Sequence, residues 1–133
     1  MSETAFELLF GDCKVRFPEH SSQNKFVTWF CIDHNKYYQG QVNKMGRPSG
    51  KGIYVDAHDH VHLGMFKDGV RDGPGCEIRP DGTSIYEITN RGWFFDSVRI
   101  GFGPDGLTRL TDKEMEPPRN YKLCIIIVCY NLL

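Results

Sequence analysis

Three histidines at alternate positions, His58, His60 and His62, are the residues whose types and spacing most suggest chemistry. On a β-strand, alternate side chains project from the same face about 7 Å apart, and imidazole nitrogens are common zinc ligands. The competing interpretation places His58 and His60 at the end of a hairpin and His62 in an aromatic position of a strand. We favour this second interpretation, so we predict no metal site and no cofactor.

Two glycine-rich stretches resemble phosphate-binding loops in their spacing. Residues 101–106 satisfy G-x-G-x-x-G, but their last three residues, Pro-Asp-Gly, indicate a turn, whereas the dinucleotide motif must open a helix. Residues 46–52 are one residue short of the P-loop spacing and have Gly52 where a magnesium-binding hydroxyl is required. No serine, cysteine or carboxylate lies in a recognisable activated setting, so the sequence does not predict an enzyme.

The overall composition restricts the class of protein. The chain of 133 residues is 40% apolar and has a net charge of −1, which fits one small domain and predicts no nucleic-acid partner. The five cysteines are odd in number and include no C-x-x-C pair, which argues against a disulfide framework and a zinc ribbon. The N-terminus lacks a basic segment before its short apolar run, so we expect a cytoplasmic protein.

The spacing of three glycines is repeated about 23 residues later, as is typical of repeat architectures. The two sets are Gly46, Gly50 and Gly52, and then Gly69, Gly73 and Gly75. Glycine in a helix interior is less favourable than alanine by about 1 kcal/mol, so the glycine-rich segment 36–106 is expected to form short β-strands. Asp-Gly pairs that end at Gly69 and Gly82 predict tight turns between strands at 61–66, 75–78 and 83–89.

The flanking regions, 1–35 and 107–133, depart from this pattern. Apolar runs over 13–17 and 26–32 predict N-terminal strands or a hairpin. Thr111 and Glu114 have capping-box spacing and Pro117 follows them, which predicts a short C-terminal helix. Residues 123–133 are uncharged and too short to span a bilayer, which leaves a buried terminal segment or an artefact of gene prediction.

The central segment resembles the membrane occupation and recognition nexus (MORN) repeat, whose pattern is Tyr-x-Gly-x-Trp/Phe-x-x-Gly-x-x-x-Gly-x-Gly with a later closing glycine. Residues 62–82 have His62 in the tyrosine position and otherwise match at Gly64, Phe66, Gly69, Gly73, Gly75 and Gly82. The preceding unit retains Tyr38, Gly40, Gly46, Gly50 and Gly52, with one residue inserted before Gly46. A third, degenerate unit retains Tyr86 and Gly92 but has Glu87, Ile88, Asp96 and Val98 in pattern positions. The segment after the repeats is also similar to that of small MORN-repeat proteins of animals.

This resemblance implies an all-β fold, an elongated twisted antiparallel sheet of stacked hairpins with a short C-terminal helix or tail. It also implies a non-enzymatic scaffold that binds extended or helical segments of other proteins. The expected setting is a cytoskeletal assembly, with the ciliary or flagellar axoneme as the first choice. The partner-binding residues are expected on one aromatic face, with Phe66 and Trp93 as anchors. The set is Tyr38, Tyr54, Phe66, Tyr86 and Trp93.

Two alternatives belong to other classes. The family name records a proposed lipid association, so a phospholipid membrane-surface module is possible, with Lys44, Arg47 and Lys51 as a small basic edge. A repeat module of an enzyme such as a lipid kinase or methyltransferase is the third possibility. Those catalytic domains would not fit within 133 residues.

Overall fold

The structure, a computed structural model, describes residues 3–13, 17, 24–33, 35–91, 96–103, 105, 107–118 and 121–122. The described residues form one helix, α1 (Glu3–Gly11), and seven strands, β1 (Lys25–Asp33), β2 (Lys36–Val42), β3 (Pro48–Val55), β4 (Val61–Lys67), β5 (Val70–Ile78), β6 (Ser84–Arg91) and β7 (Asp96–Ile100). The strands lie in one sheet in chain order, each antiparallel to its neighbours. The predicted sheet of consecutive hairpins is therefore confirmed.

The turns between strands use the backbone conformations that the Asp-Gly pairs predicted. Asp68 and Gly69 both have positive φ, 50° and 93°, as a two-residue hairpin turn between β4 and β5 requires. Gly82 has φ 88° in the turn between β5 and β6. In the β3–β4 loop, where the sequence lacks the closing glycine, Asp59 adopts φ 63° instead.

One face of the sheet, which we call the helix face, carries the main core of the protein. Helix α1 packs on this face through Phe6, Leu9 and Phe10, whose spacing of three and four residues places them on one side of a helix. The complete cluster is Phe6, Leu9, Phe10, Phe17, Trp29, Ile53, Val55, Val61, Leu63, Met65, Cys76, Ile78 and Tyr86. It spans the sheet from β1 to β6, so a single short helix helps to bury residues from several hairpins.

Helix α1 corrects part of the prediction for residues 1–35. The expected N-terminal strands or hairpin are wrong over Glu3–Gly11, because the apolar residues there follow the helical period and not the alternation of a strand. The strand predicted over 13–17 lies largely outside the described residues. The strand predicted over 26–32 is confirmed as β1, which has an irregularity between Val27 and Phe30.

The C-terminal segment forms a single helical turn against the helix face. The Thr111 N–H donates to Glu114 Oε1 at 3.0 Å and the Glu114 N–H donates to Thr111 Oγ1 at 3.3 Å, so the predicted capping box is present. The Met115 N–H donates to the Thr111 carbonyl at 3.1 Å. The Ser84 hydroxyl donates to the Met115 carbonyl and joins this turn to β6. The predicted apolar tail, 123–133, lies outside the described residues.

Candidate functional site

The second face of the sheet, which we call the open face, is organised around a row of glycines. Cross-strand pairing aligns them across four neighbouring strands, in the order Gly40, Gly52, Gly64 and Gly75. The ring of Tyr38 lies against Gly52, where a Cβ would overlap it. His62 lies against Gly75 in the same way, and a Cβ there would be 2.5 Å from Cε1. These glycines therefore make room for rings that lie flat across the sheet.

Aromatic rings contact one another edge-to-face along this glycine row. The Tyr38 ring centroid is 5.9 Å from that of Phe30 and 5.2 Å from that of Phe66, and Phe66 is 5.7 Å from His62. The Tyr38 hydroxyl donates to the Gln41 carbonyl at 2.7 Å, and burial raises its pKa. Among the described residues, the apolar cluster on this face is formed by residues of β1 to β4. Within the described part of the chain, α1 and the C-terminal turn pack on the other face.

The predicted partner-binding residues differ in accessibility. Tyr38, Tyr54 and Phe66 do lie together on the open face, as expected. Tyr38 and Phe66 are only 0% and 5% exposed, so the anchor role predicted for Phe66 does not fit its position. Tyr54 is half-buried and remains accessible. The rings cover one another across the glycine row, which is why the residues closest to the repeat pattern are the least exposed.

Tyr86 corrects the expected alignment of the third unit. It pairs with Cys76, lies on the helix face and stacks with Phe17 at 6.5 Å between ring centroids. The open-face position of β6 is held instead by Ile85, opposite Glu77. Because side chains alternate between faces, an offset of one residue moves Tyr86 away from the aromatic set. The other expected member, Trp93, lies outside the described residues.

A cleft of about 550 Å³ lies on the open face where the first two repeat units meet. Phe30 and Ile32 of β1 and Tyr54 of β3 contribute its apolar surface, and all three are half-buried. The lining residues are Phe30, Cys31, Ile32, Lys36, Gly46, Arg47, Pro48, Tyr54, Asp68 and Gly69. Phe30 and Ile32 are not among the site residues predicted from the sequence. Their two-residue spacing was a signal that they share a face, since the strand itself was recognised.

A charged cluster adjoins the aromatic row on β5 and β6. Arg71 Nη1 is 3.7 Å from Glu77 Oε1 and 3.6 Å from Glu87 Oε1, and its guanidinium lies 5.8 Å from the Tyr54 ring centroid. His62 Nδ1 is 4.0 Å from Glu87 Oε1. Burial lowers the pKa of His62, and Arg71 lowers it further. Burial raises the pKa of Glu87, an effect that Arg71 opposes and Glu77 reinforces.

The three histidines are placed as the second interpretation predicted. His58 and His60 lie in the β3–β4 loop, where their backbone N–H groups donate to Asp56 Oδ1 at 2.8 and 3.0 Å. His60 Nδ1 is also 3.2 Å from Asp56 Oδ2. His62 is buried in β4 and fills the tyrosine position of its repeat. Among the residues with described positions, no three potential ligands are grouped to hold a metal ion.

The predicted basic edge is divided between the two faces. Lys44 and Arg47 are exposed in the β2–β3 loop, but Lys51 is only 7% exposed and belongs to the other side of the sheet. Lys51 Nζ is 3.7 Å from Glu7 Oε2 and 5.9 Å from the Phe10 ring centroid, so it joins α1 to β3. No helix of the described chain has the length and apolar character needed to cross a bilayer.

Comparison with known families explains the geometry of the two central hairpins. The model of the MORN repeat matches residues 38–57 and 62–84, which include most of β2 and β4 and all of β3 and β5. Both matches end before Ile85, where the structure departs from the repeat pattern. Searches of curated proteins and of solved structures found no match. The two matched stretches are therefore similar to MORN repeats, and the matches are confined to these two hairpins.

Proposed function

We propose that this protein is a non-enzymatic scaffold whose open face holds an extended or helical segment of another protein. The observation that carries the proposal is the difference between the two faces. Helix α1 covers the helix face, whereas the open face has a cleft with half-buried Phe30, Ile32 and Tyr54. MORN repeats form modules for protein or membrane interaction, and this asymmetry favours one face for that interaction.

The cleft has the form expected for side chains of a bound segment. It is open to solvent and has apolar groups on its sides, and peptide-binding grooves hold anchor residues in such recesses. The buried rings of Tyr38 and Phe66 form the support beneath it. Their edge-to-face packing keeps the strands of both repeats in register, so the half-buried residues above them are held in a fixed arrangement.

The test is partner capture by variants that change the cleft without opening the core. The double substitution Phe30→Ala and Tyr54→Ala should greatly reduce recovery of partner proteins from a cell extract. Leu8→Ala is the matched control, because Leu8 is 69% exposed on α1, outside the open face. Equal recovery with the native chain and the folded double variant would show that the open face is not the binding surface.

The cellular setting we propose is a cytoskeletal assembly, with the ciliary or flagellar axoneme as the first choice. Its support is the resemblance of the repeats and the following segment to small MORN-repeat proteins. Affinity purification from ciliated and non-ciliated cells tests this location. Recovery of axonemal proteins only from the ciliated cells is the expected result, and an identical set of partners from both would contradict it.

Binding to a phospholipid surface is the second candidate, and one loop favours it. Lys44, Met45 and Arg47 lie together between β2 and β3, and Met45 is 76% exposed. A protruding apolar residue beside two cations is suited to anionic headgroups. Co-sedimentation with phosphatidylserine vesicles, compared for the native chain and Met45→Asp, separates the candidates. Binding that Met45→Asp abolishes supports the membrane function, and absence of sedimentation at low salt argues for the scaffold.

A further inference from the structure

Basic residues outnumber acidic residues among the described residues that line the cleft. Lys36 and Arg47 are basic lining residues, and Asp68 is the one carboxylate among the residues that the described structure places there. Asp68 Oδ1 accepts a hydrogen bond from Asn43 Nδ2 at 3.0 Å. Asn43 Oδ1 also accepts hydrogen bonds from the N–H groups of Met45 and Arg47, at 2.9 and 3.1 Å. The loop that carries Arg47 is therefore tied to the turn that carries Asp68.

A second, smaller cleft extends the basic character of this end of the sheet. It has a volume of about 310 Å³ and shares Gly46 with the first cleft. Lys25 and Lys44 are among its lining residues, and Val42 contributes an apolar surface. The two adjoining clefts thus have four basic side chains and one carboxylate among their described lining residues, although the whole chain has a net charge of −1.

The other end of the open face is different, because its charges are of both signs. Arg71 lies within 3.7 Å of Glu77 and within 3.6 Å of Glu87, so it offsets both carboxylates. Among the described lining residues, the surplus of positive charge lies at the end of the sheet formed by β1, β2 and the β2–β3 loop. A bound segment would therefore meet apolar groups and cations together at that end.

We propose that the cleft binds an acidic segment of a partner protein, in which an apolar side chain is adjacent to aspartate or glutamate. The apolar side chain would lie between Phe30, Ile32 and Tyr54, and the carboxylates would pair with Arg47 and Lys36. This inference rests on the proposed scaffold function and adds the chemistry of the partner. The complementarity of charge is the observation that selects an acidic segment over a basic or neutral one.

The shape of the cleft favours a protein segment over a lipid surface for these cations. Lys36 and Arg47 line a concavity together with Phe30 and Tyr54, which are themselves half-buried. A bilayer presents a broad surface, which could contact the exposed Arg47 but could not enter the recess beside the half-buried Phe30 and Tyr54. A peptide can place one side chain into the recess and the next on its rim.

The test uses a displayed library of short random peptides selected against the full chain. Peptides enriched by the native protein should contain an apolar residue beside aspartate or glutamate, with acidic residues at least about twice as frequent as in the unselected library. The double charge reversal Lys36→Glu and Arg47→Glu should shift the enriched peptides towards lysine and arginine. It should also weaken binding of the best acidic peptide by about tenfold or more.

A matched variant separates the local effect from the change in net charge. Arg79→Glu with Lys113→Glu makes the same charge change at exposed positions that do not line the cleft, and it should leave the peptide selection unchanged. Enriched peptides without acidic bias, or with a bias that the charge reversal does not alter, would overturn the inference.

The scaffold proposal has its own readout in the same experiment. If peptides are enriched without acidic bias but lose binding with Phe30→Ala and Tyr54→Ala, the open face is a binding surface and only the charge inference fails. If no peptide is enriched by the native chain, or if the Phe30→Ala and Tyr54→Ala variant retains the same peptides, both proposals fail. Vesicle sedimentation that depends on Arg47, together with no peptide enrichment, would assign the cations to lipid instead.

Discussion

The imidazole ring of His62 lies against the backbone of Gly75, so that a Cβ on Gly75 would be 2.5 Å from Cε1 and 2.6 Å from Nε2 of the ring. Tyr38 has the same relation to Gly52 in the first repeat. Histidine therefore performs the packing role of the tyrosine in the second repeat. Its position is set by the sheet, and the absence of a side chain at Gly75 is what permits it.

Substitution of Gly75 by alanine should destabilise the protein by about 1–3 kcal/mol, because the added methyl group overlaps a ring that is buried on all sides. Urea denaturation followed by circular dichroism measures this change. The control is Gly11→Ala at the end of α1, where a Cβ has no atom within 4 Å in the described structure, and which should be neutral or stabilising. A fully stable Gly75→Ala protein would show that His62 does not lie as described.

The stability of the protein should fall as the pH is lowered through the range from about 7 to 5. Burial lowers the pKa of His62 below 6.5, so the unfolded chain binds a proton that the folded chain excludes. The slope from one such group is at most about 1.4 kcal/mol per pH unit. The contribution of Glu87 to the pH dependence of stability has the opposite sign. Because its pKa is raised in the folded state, Glu87 stabilises the fold below about pH 4.5, and this stabilisation is lost as the pH rises through the folded-state pKa.

Comparison of variants isolates the contribution of His62 to this slope. His62→Gln removes the titrating group and should flatten the dependence of the unfolding free energy on pH between about 7 and 5. His58→Gln alters an exposed loop histidine and should leave the slope close to that of the native chain. If His62→Gln retains the full slope, the source of the pH dependence lies elsewhere.

Phe66 and Tyr54 should respond differently to truncation although both lie on the open face. Phe66 is 5% exposed and contacts the rings of Tyr38 and His62, so Phe66→Ala should cost about 3–5 kcal/mol. Tyr54 is half-buried, and Tyr54→Ala should cost about 1 kcal/mol. Thermal melts of the two variants measure the difference. Equal losses would contradict the assignment of Phe66 to the framework and Tyr54 to the accessible cleft.

Helix α1 should be an integral part of the fold. Phe6 is 1% exposed, with ring centroids 4.8 Å from Phe10 and 5.0 Å from Phe26, so Phe6→Ala should cost about 3 kcal/mol or more. Leu8→Ala on the exposed side of the same helix should change the unfolding free energy by no more than about 0.5 kcal/mol. Chemical denaturation of the two variants measures this difference. Similar denaturation midpoints for Phe6→Ala and Leu8→Ala would mean that α1 does not pack on the sheet.

The hairpins and turns of this protein could be predicted because their signals are local. The Asp68-Gly69 and Asp81-Gly82 pairs specify turns within a few residues, and the repeated glycines mark equivalent positions in successive hairpins. The capping box of Thr111 and Glu114 is equally local and is present in the structure. The helical spacing of Phe6, Leu9 and Phe10 is also present in the sequence, but the strand-like apolar runs that follow it favour a strand-rich prediction for the whole N-terminal region.

By itself, the sequence determined the two MORN-repeat stretches, the antiparallel hairpins and the positions where glycines must leave room for rings. Only the tertiary structure decided which face each aromatic residue occupies and how much of it remains exposed. Tyr86 lies on the helix face because of an offset of one residue, and Phe66 is buried beside the Tyr38 ring of β2 and the His62 ring of its own strand. The physical reason is that turn conformation depends on neighbouring residues in the chain, whereas register and burial depend on partners that are distant in sequence.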